Sequence, residues 1–327
     1  MDWDYGSAGL ADFRHDPIGV MISEKSNQSI LAEPRDPDIF VIAINNKALL
    51  YLVMAMIPVE TNISLRIEDT GGNGKPVFFV HGWPLDLKMF EYQFTSLKEN
   101  GYRCIGLDLR GFGMSAKPWQ DYNYDVFADD IQKIMNELKL EQKFAIVGFS
   151  MGGGIVMRYV AKYYPNTLSH VVFMGAAAPS FTKREGFPHG QDRAFCDQII
   201  TGLMQNRPRM ISEFGKLLFR SPESQGPEIL SWLFAQSMAA SHYATVKSAV
   251  SLRDEDLRGD MQVISDRNLP VAVFHGIHDK VCPFDLGKVM NNGIEGSKLV
   301  QFNESGHALN IEEKEKTNEE LMKFITT

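Results

Sequence analysis

Beyond residue 61 the chain alternates two kinds of apolar pattern. Short, mostly apolar runs at 75–80, 103–108, 144–148, 171–174, 271–274 and 298–302 read as strands. Runs such as Val77-Phe78-Phe79-Val80 are continuous rather than alternating, which predicts strands covered on both faces. Between them, apolar residues recur at helical spacing over 88–100, 126–140, 151–164 and 312–326. Gly101 and Pro165 stop the first and third of these helices. Strand and helix in alternation predict an α/β fold with a mostly parallel, doubly wound sheet. The alternation lapses between about 179 and 268, a stretch rich in Met, Phe and Arg with no strand run. It reads as a helical cap inserted between two late strands, over the carboxyl edge where open α/β sheets bind ligands. The expected domains are a core of 56–178 and 269–327 and a cap of 179–268.

Residues 1–55 stand apart as an N-terminal extension. The first twenty carry Asp2, Asp4, Asp12 and Asp16 and lack the apolar stretch of a secretory signal. An apolar run over 39–57 is broken by Asn45, Asn46 and Lys47. A central Lys costs about 2.5–3.5 kcal/mol in a membrane span, and two apolar runs flanking Asn-Asn read equally well as a hairpin. A third reading makes Met54 or Met56 the natural start.

The length of 327 residues suits two domains, or one large α/β domain carrying an insertion. A net charge of −8 argues against nucleic acid as a partner. Cys104, Cys196 and Cys282 lie far apart, with neither disulfide-framework nor zinc-ligand spacing. A reducing, cytoplasmic setting fits them, with no metal and no membrane partner.

The chemistry concentrates in Gly148-Phe149-Ser150-Met151-Gly152, a G-x-S-x-G motif. On its own it could be a glycine-rich turn with a bystander serine. It follows a strand and opens a helix, as a nucleophile elbow requires. A serine hydroxyl needs a base, and the base needs an acid to orient it. In such folds the chain order is Ser, acid, His. Asp279 sits in the loop after the strand at 271–274. The alternative acid position, 173–180, has no carboxylate, so elimination leaves Asp279. His307 falls in the loop between the last strand and the last helix, where the base belongs. The oxyanion donors expected are the backbone N–H groups of Met151 and of Trp83, in the loop His81-Gly82-Trp83-Pro84. Pro84 has no N–H to give. His81 is expected to tie its loop together. His15 and His189 read as exposed, His170, His242 and His275 as structural, and His278 as loop scaffolding. Asp108 to Ser115 reads as a glycine turn braced by Arg110.

These residues, with His81-Gly-Trp-Pro-Leu-Asp86, Glu91-Tyr-Gln93, Gly101-Tyr-Arg103, Phe127-Ala-Asp-Asp130 and Gly148-Phe-Ser-Met-Gly-Gly-Gly154, closely resemble the α/β-hydrolase family of bacterial arylesterases and cofactor-free (non-haem) haloperoxidases, or perhydrolases. The resemblance runs from about Asn62 to the end, densest up to Tyr159 and looser in the cap. It implies a Ser150–Asp279–His307 triad with Trp83 and Met151 as oxyanion donors, and no cofactor. Family members also make or hydrolyse peracids, which oxidise halide off the enzyme. Those that form peracids tend to carry Pro after the oxyanion Trp, as Pro84 does here. Members begin near Met56, so 1–55 has no counterpart.

The function expected is therefore a serine hydrolase of small carboxylic esters, with perhydrolase activity from a carboxylic acid plus peroxide. The same triad could instead serve a C–C hydrolase, a lactonase or an aminopeptidase. An aminopeptidase would need cap carboxylates such as Glu213, Glu223 or Glu228 near the substrate amine. A catalytically silent binding protein would be expected to lack a triad member, and none is missing. Ser150 argues against the haloalkane dehalogenases and epoxide hydrolases, whose nucleophile is Asp. Relatives often assemble, so a homo-oligomer is left open.

Overall fold

The structure is a computed structural model that describes residues 53–327. The N-terminal extension up to 52, the hairpin about Asn45-Asn46 and His15 lie outside the described residues. The end of the apolar run at 39–57 is a strand. β1 (Val53–Glu60) turns at Asn62 into β2 (Ile63–Asp69) as an antiparallel pair. Ile57 and Val59 point inward while Met56, Pro58 and Glu60 face out, the alternation of a half-buried edge strand. Among the described residues no helix is long and apolar enough to cross a membrane.

The remaining strands are β3 (Pro76–Val80), β4 (Arg103–Leu107), β5 (Phe144–Phe149), β6 (Leu168–Met174), β7 (Val271–Gly276) and β8 (Lys298–Phe302). Together they form an eight-stranded sheet in the order β1-β2-β4-β3-β5-β6-β7-β8. Only β1 and β2 run antiparallel to their neighbours; β4 through β8 pair in parallel. β3, β5 and β7 are buried at every residue, because helices cover both faces. On one side α1 (Glu91–Glu99) packs with α9 (Leu309–Glu312) and α10 (Lys314–Ile325). Elsewhere α2 (Tyr124–Leu138), α3 (Met151–Tyr163), α7 (Arg258–Ser265) and α8 (Phe284–Gly293) follow one another in contact.

Between β6 and β7 the chain adds α4 (Arg193–Leu217), α5 (Pro222–Ala239) and α6 (His242–Asp254), with α4 packed on both others. α7 also comes from this stretch, yet it packs on α3 and α8 beside the sheet. α4 is broken at Asn206 (φ −156°, ψ 82°), two residues before Pro208. Proline cannot donate to the preceding turn. Asn206 restarts the helix, its side chain accepting the Arg209 N–H at 3.1 Å.

The loop after β4 is braced as expected. Arg110, 1 % exposed, grips Asp130 of α2 through Nε and Nη2 at 2.6 Å each, and reaches Glu60 of β1 at 2.6 Å. Burial pushes the Asp130 carboxyl up, and the guanidinium opposes that shift. Removing one partner of a buried pair leaves the other charge uncompensated, at about 3–5 kcal/mol. We expect Arg110→Met to lower unfolding free energy by about that much at neutral pH. The double change Arg110→Met with Asp130→Leu should recover part of the loss; urea denaturation of both variants measures it.

Candidate active site

Ser150 stands between β5 and α3 with φ 54° and ψ −120°. A non-glycine residue there is strained by about 1–3 kcal/mol and persists only where its surroundings hold it. Four backbone hydrogen bonds do so. Ser150 N–H donates to Met174 O at 3.0 Å, and Ser150 O accepts from Gly153, Gly154 and Ala177 at 2.9, 3.3 and 2.9 Å. The flanking glycines are steric necessities. A Cβ on Gly148 would lie 2.5 Å from Gly152 O, and one on Gly152 would lie 2.3 Å from Val80 O.

Asp279 and His307 meet. His307 Nδ1 donates to Asp279 Oδ2 at 2.7 Å, and both side chains are buried. That bond puts the ring proton on Nδ1 and leaves Nε2 as an acceptor. Asp279 Oδ1 accepts from the N–H groups of Val281 and Cys282 at 2.8 Å each. Burial pushes the Asp279 carboxyl up, but His307 and His275 outweigh it and hold it at about 2. His307 packs its ring on Phe149, the neighbour of Ser150, with centroids 4.8 Å apart. The Ser150 hydroxyl makes no hydrogen bond to His307; in free enzymes such bonds commonly tighten only with substrate. It faces the buried thiol of Cys282 instead, which burial pushes well up.

The loop that carries His307 is held from two sides. Glu313 accepts from Glu304 N and Ser305 Oγ, and Glu312 accepts from Gly306 N. Ala308 N donates to Leu218 O at 2.7 Å, joining this loop to the end of α4.

Trp83 and Met151 flank Ser150. Met151 opens α3, where the first N–H groups have no acceptor within the helix. Among the described residues the Trp83 N–H donates to no other backbone group. A Cβ on Gly82 would come within 2.9 Å of Ser150 Cβ, so this loop needs glycine to approach the serine. His81 secures the loop: its Nε2 accepts from Leu109 N at 2.9 Å and its Nδ1 donates to Gly82 O at 2.9 Å. Burial lowers its pKa, which keeps the ring neutral. The Trp83 indole donates to Thr245 O of α6 at 2.9 Å.

Over Ser150 lies an apolar cavity of about 20 Å³, walled by Trp83, Phe181, Ile199, Phe214, Leu252 and Val281, with Cys196 and Ala249. Glu213, Glu223 and Glu228 are exposed and do not line it. His278 is exposed, and His170 and His242 bond to Ser169 and to Leu203 O. His275 has more to do than fill the core. Its Nε2 donates to Cys282 O at 2.8 Å and lies 3.4 Å from Asp279 Oδ2, the same oxygen that His307 engages. Its four-residue spacing from Asp279 was the available signal, but the span runs from β7 into the loop that follows, where such spacing has no fixed geometry.

Residues 75–314 match the family described as alpha/beta hydrolase fold. The chain belongs to the α/β-hydrolase family. Within it, an AB hydrolase superfamily protein of Bacillus subtilis is 41% identical over 268 residues, covering 82% of this chain and 97% of that protein. An esterase from Exiguobacterium antarcticum superposes with a TM-score of 0.76 at 39% identity, over 81% of this chain and 96% of that one. A bromoperoxidase from Bacillus anthracis superposes at 0.79 and 34% identity, over 84% of this chain and 100% of that one. This α/β hydrolase thus has both esterases and non-haem haloperoxidases among its relatives, as the motifs led us to expect.

The depressed Asp279 pKa sets a pH signature. A carboxylate stabilised by folding contributes above its unfolded value and loses that contribution as pH falls through its folded value. The window therefore runs from the ordinary 3.8 down to about 2. We expect the stability gap between the wild type and Asp279→Asn to be constant above about pH 5 and to close towards pH 2, read by urea denaturation across that range.

Proposed function

We propose that this α/β hydrolase cleaves small carboxylic esters through an acyl-enzyme on Ser150. The observation that carries the reading is the elbow. A serine held in strained backbone between two obligatory glycines stands beside a buried His–Asp pair. His307 Nε2 takes the Ser150 proton as Oγ attacks the carbonyl carbon. The backbone N–H groups of Trp83 and Met151 receive the oxyanion, each such donor being worth about 3–4 kcal/mol where measured. His307 then returns the proton to the leaving alkoxide, and water releases the acyl group by the reverse sequence. Asp279 keeps the ring oriented and stabilises the imidazolium. α4 to α6 act as the cap that closes the pocket.

The narrow apolar pocket favours a short acyl group. Peroxide in place of water would release a peracid, which needs neither metal nor cofactor. The bromoperoxidase relative and Pro84 support this second activity. The exposed Glu213, Glu223 and Glu228 speak against an aminopeptidase, since no carboxylate in the cap awaits an amine.

Ser150→Ala is expected to lower kcat on p-nitrophenyl acetate by a factor of about 10³ or more and to abolish fluorophosphonate labelling. Turnover equal to wild type would falsify the acyl-enzyme reading. Pro84→Leu is expected to lower the ratio of perhydrolysis to hydrolysis, followed with acetate, peroxide and a bromide-dependent dye; an unchanged ratio removes Pro84 from the account.

A further inference from the structure

A second compartment lies behind the wall of the Ser150 pocket. It is a cleft of about 330 Å³ between the second half of α4 and α5, bordered by Pro84, Ile211, Leu218, Leu230, Leu233 and Phe234. Phe214 is common to both compartments, lining the inner pocket on one side and the cleft on the other. The boundary continues into the oxyanion loop, where Trp83 faces inward and Pro84 faces the cleft.

Two rings in contact, Trp83 and Phe214, stand at this boundary, and they differ in how they are held. The Trp83 indole is hydrogen-bonded to Thr245 O at 2.9 Å. Phe214 stands edge-on against it, with centroids 4.9 Å apart and planes at 81°, and is held by packing alone. It also rides on the segment of α4 that follows the break at Asn206 and Pro208, so it is not locked to the first half of that helix.

The sizes decide what each compartment can take. The inner pocket, at about 20 Å³, is little more than one water needs. An ester with a chain of more than a few carbons cannot place both its carbonyl and that chain there. The cleft is more than tenfold larger and is lined mainly by aliphatic and aromatic side chains, with Ser212, Lys216, Ser231 and Ser237 among them, a mostly apolar surface that suits an alkyl chain.

We propose that Phe214 is the specificity-determining partition of this enzyme: it shuts the long alkyl chain of an ester bound at Ser150 out of a cleft that would otherwise receive it. The proposal rests on the ester-hydrolase reading above. With Phe214 in place, short esters are preferred; with the ring removed, the pocket and cleft become one. The chain can belong to the acyl or to the alcohol half of the ester, and two substrate series distinguish them.

The experiment compares kcat/KM of the wild type, Phe214→Leu, Phe214→Ala and Phe214→Ala with Leu230→Trp. One series is p-nitrophenyl acetate, hexanoate and octanoate. The other is methyl, butyl and hexyl acetate. Ratios within a series do not depend on how much of each variant folds. Phe214→Ala is expected to raise the long-to-short ratio at least tenfold in one series, and Phe214→Leu by less. Leu230→Trp, which fills the cleft, is expected to reverse the gain. The responding series identifies the chain. Unchanged ratios in both series for both single variants overturn the partition while leaving the esterase reading intact. If the wild type shows no Ser150-dependent hydrolysis of any ester, the earlier reading fails and this one falls with it.

Discussion

The backbone at Ser150 is held in a conformation that L-residues avoid, and the surrounding fold is built to keep it there. The parallel pairing of β5 with β6 puts Met174 O where it can accept the Ser150 N–H, and the chain leaving β6 returns Ala177 N to Ser150 O. Gly148 and Gly152 let β5, α3 and the end of β3 approach more closely than any side chain permits. The central strands are accordingly buried throughout, since a sheet exposed on one face could not brace the turn from both sides. The loop at 81–84 then falls beside the serine because Gly82 has no Cβ to hold it away.

Much of this could be read from the chain because it is local. A strand, a glycine-flanked serine and a helix follow one another within a few residues, and steric need writes glycines into the sequence. That Ser150, Asp279 and His307 fall in loops at the carboxyl ends of β5, β7 and β8 was legible because parallel strands deliver those loops to one edge. Arg110 and His81 were also placed in their bracing roles. β1 and β2 were harder, since an edge strand buries one face and Met56 and Pro58 blur its alternation.

What escaped the sequence depends on contacts between distant segments. His275 reads as an ordinary strand residue until the fold sets it against the Asp279 oxygen that His307 also engages. α7 looks like one more helix of the insertion, yet it packs beside the sheet. The size of the pocket is set by Phe181, Ile199, Phe214 and Leu252, which come from separate turns and helices and have no pattern in common.

Part of the insertion's fastening to the core runs through main-chain oxygens. Leu218 O accepts from Ala308 N, Thr245 O accepts from the Trp83 indole, and Gly111 O accepts from Ser241 N. A carbonyl belongs to every residue type, so these fastenings survive almost any side-chain replacement that preserves the helices. The insertion can therefore drift in sequence, and its walls can be recut for new substrates, without loosening the catalytic loops. The core has no such freedom, because its close approaches are written in glycines. Within this architecture, freedom in the insertion and rigidity at the Ser150 turn follow from the same geometry.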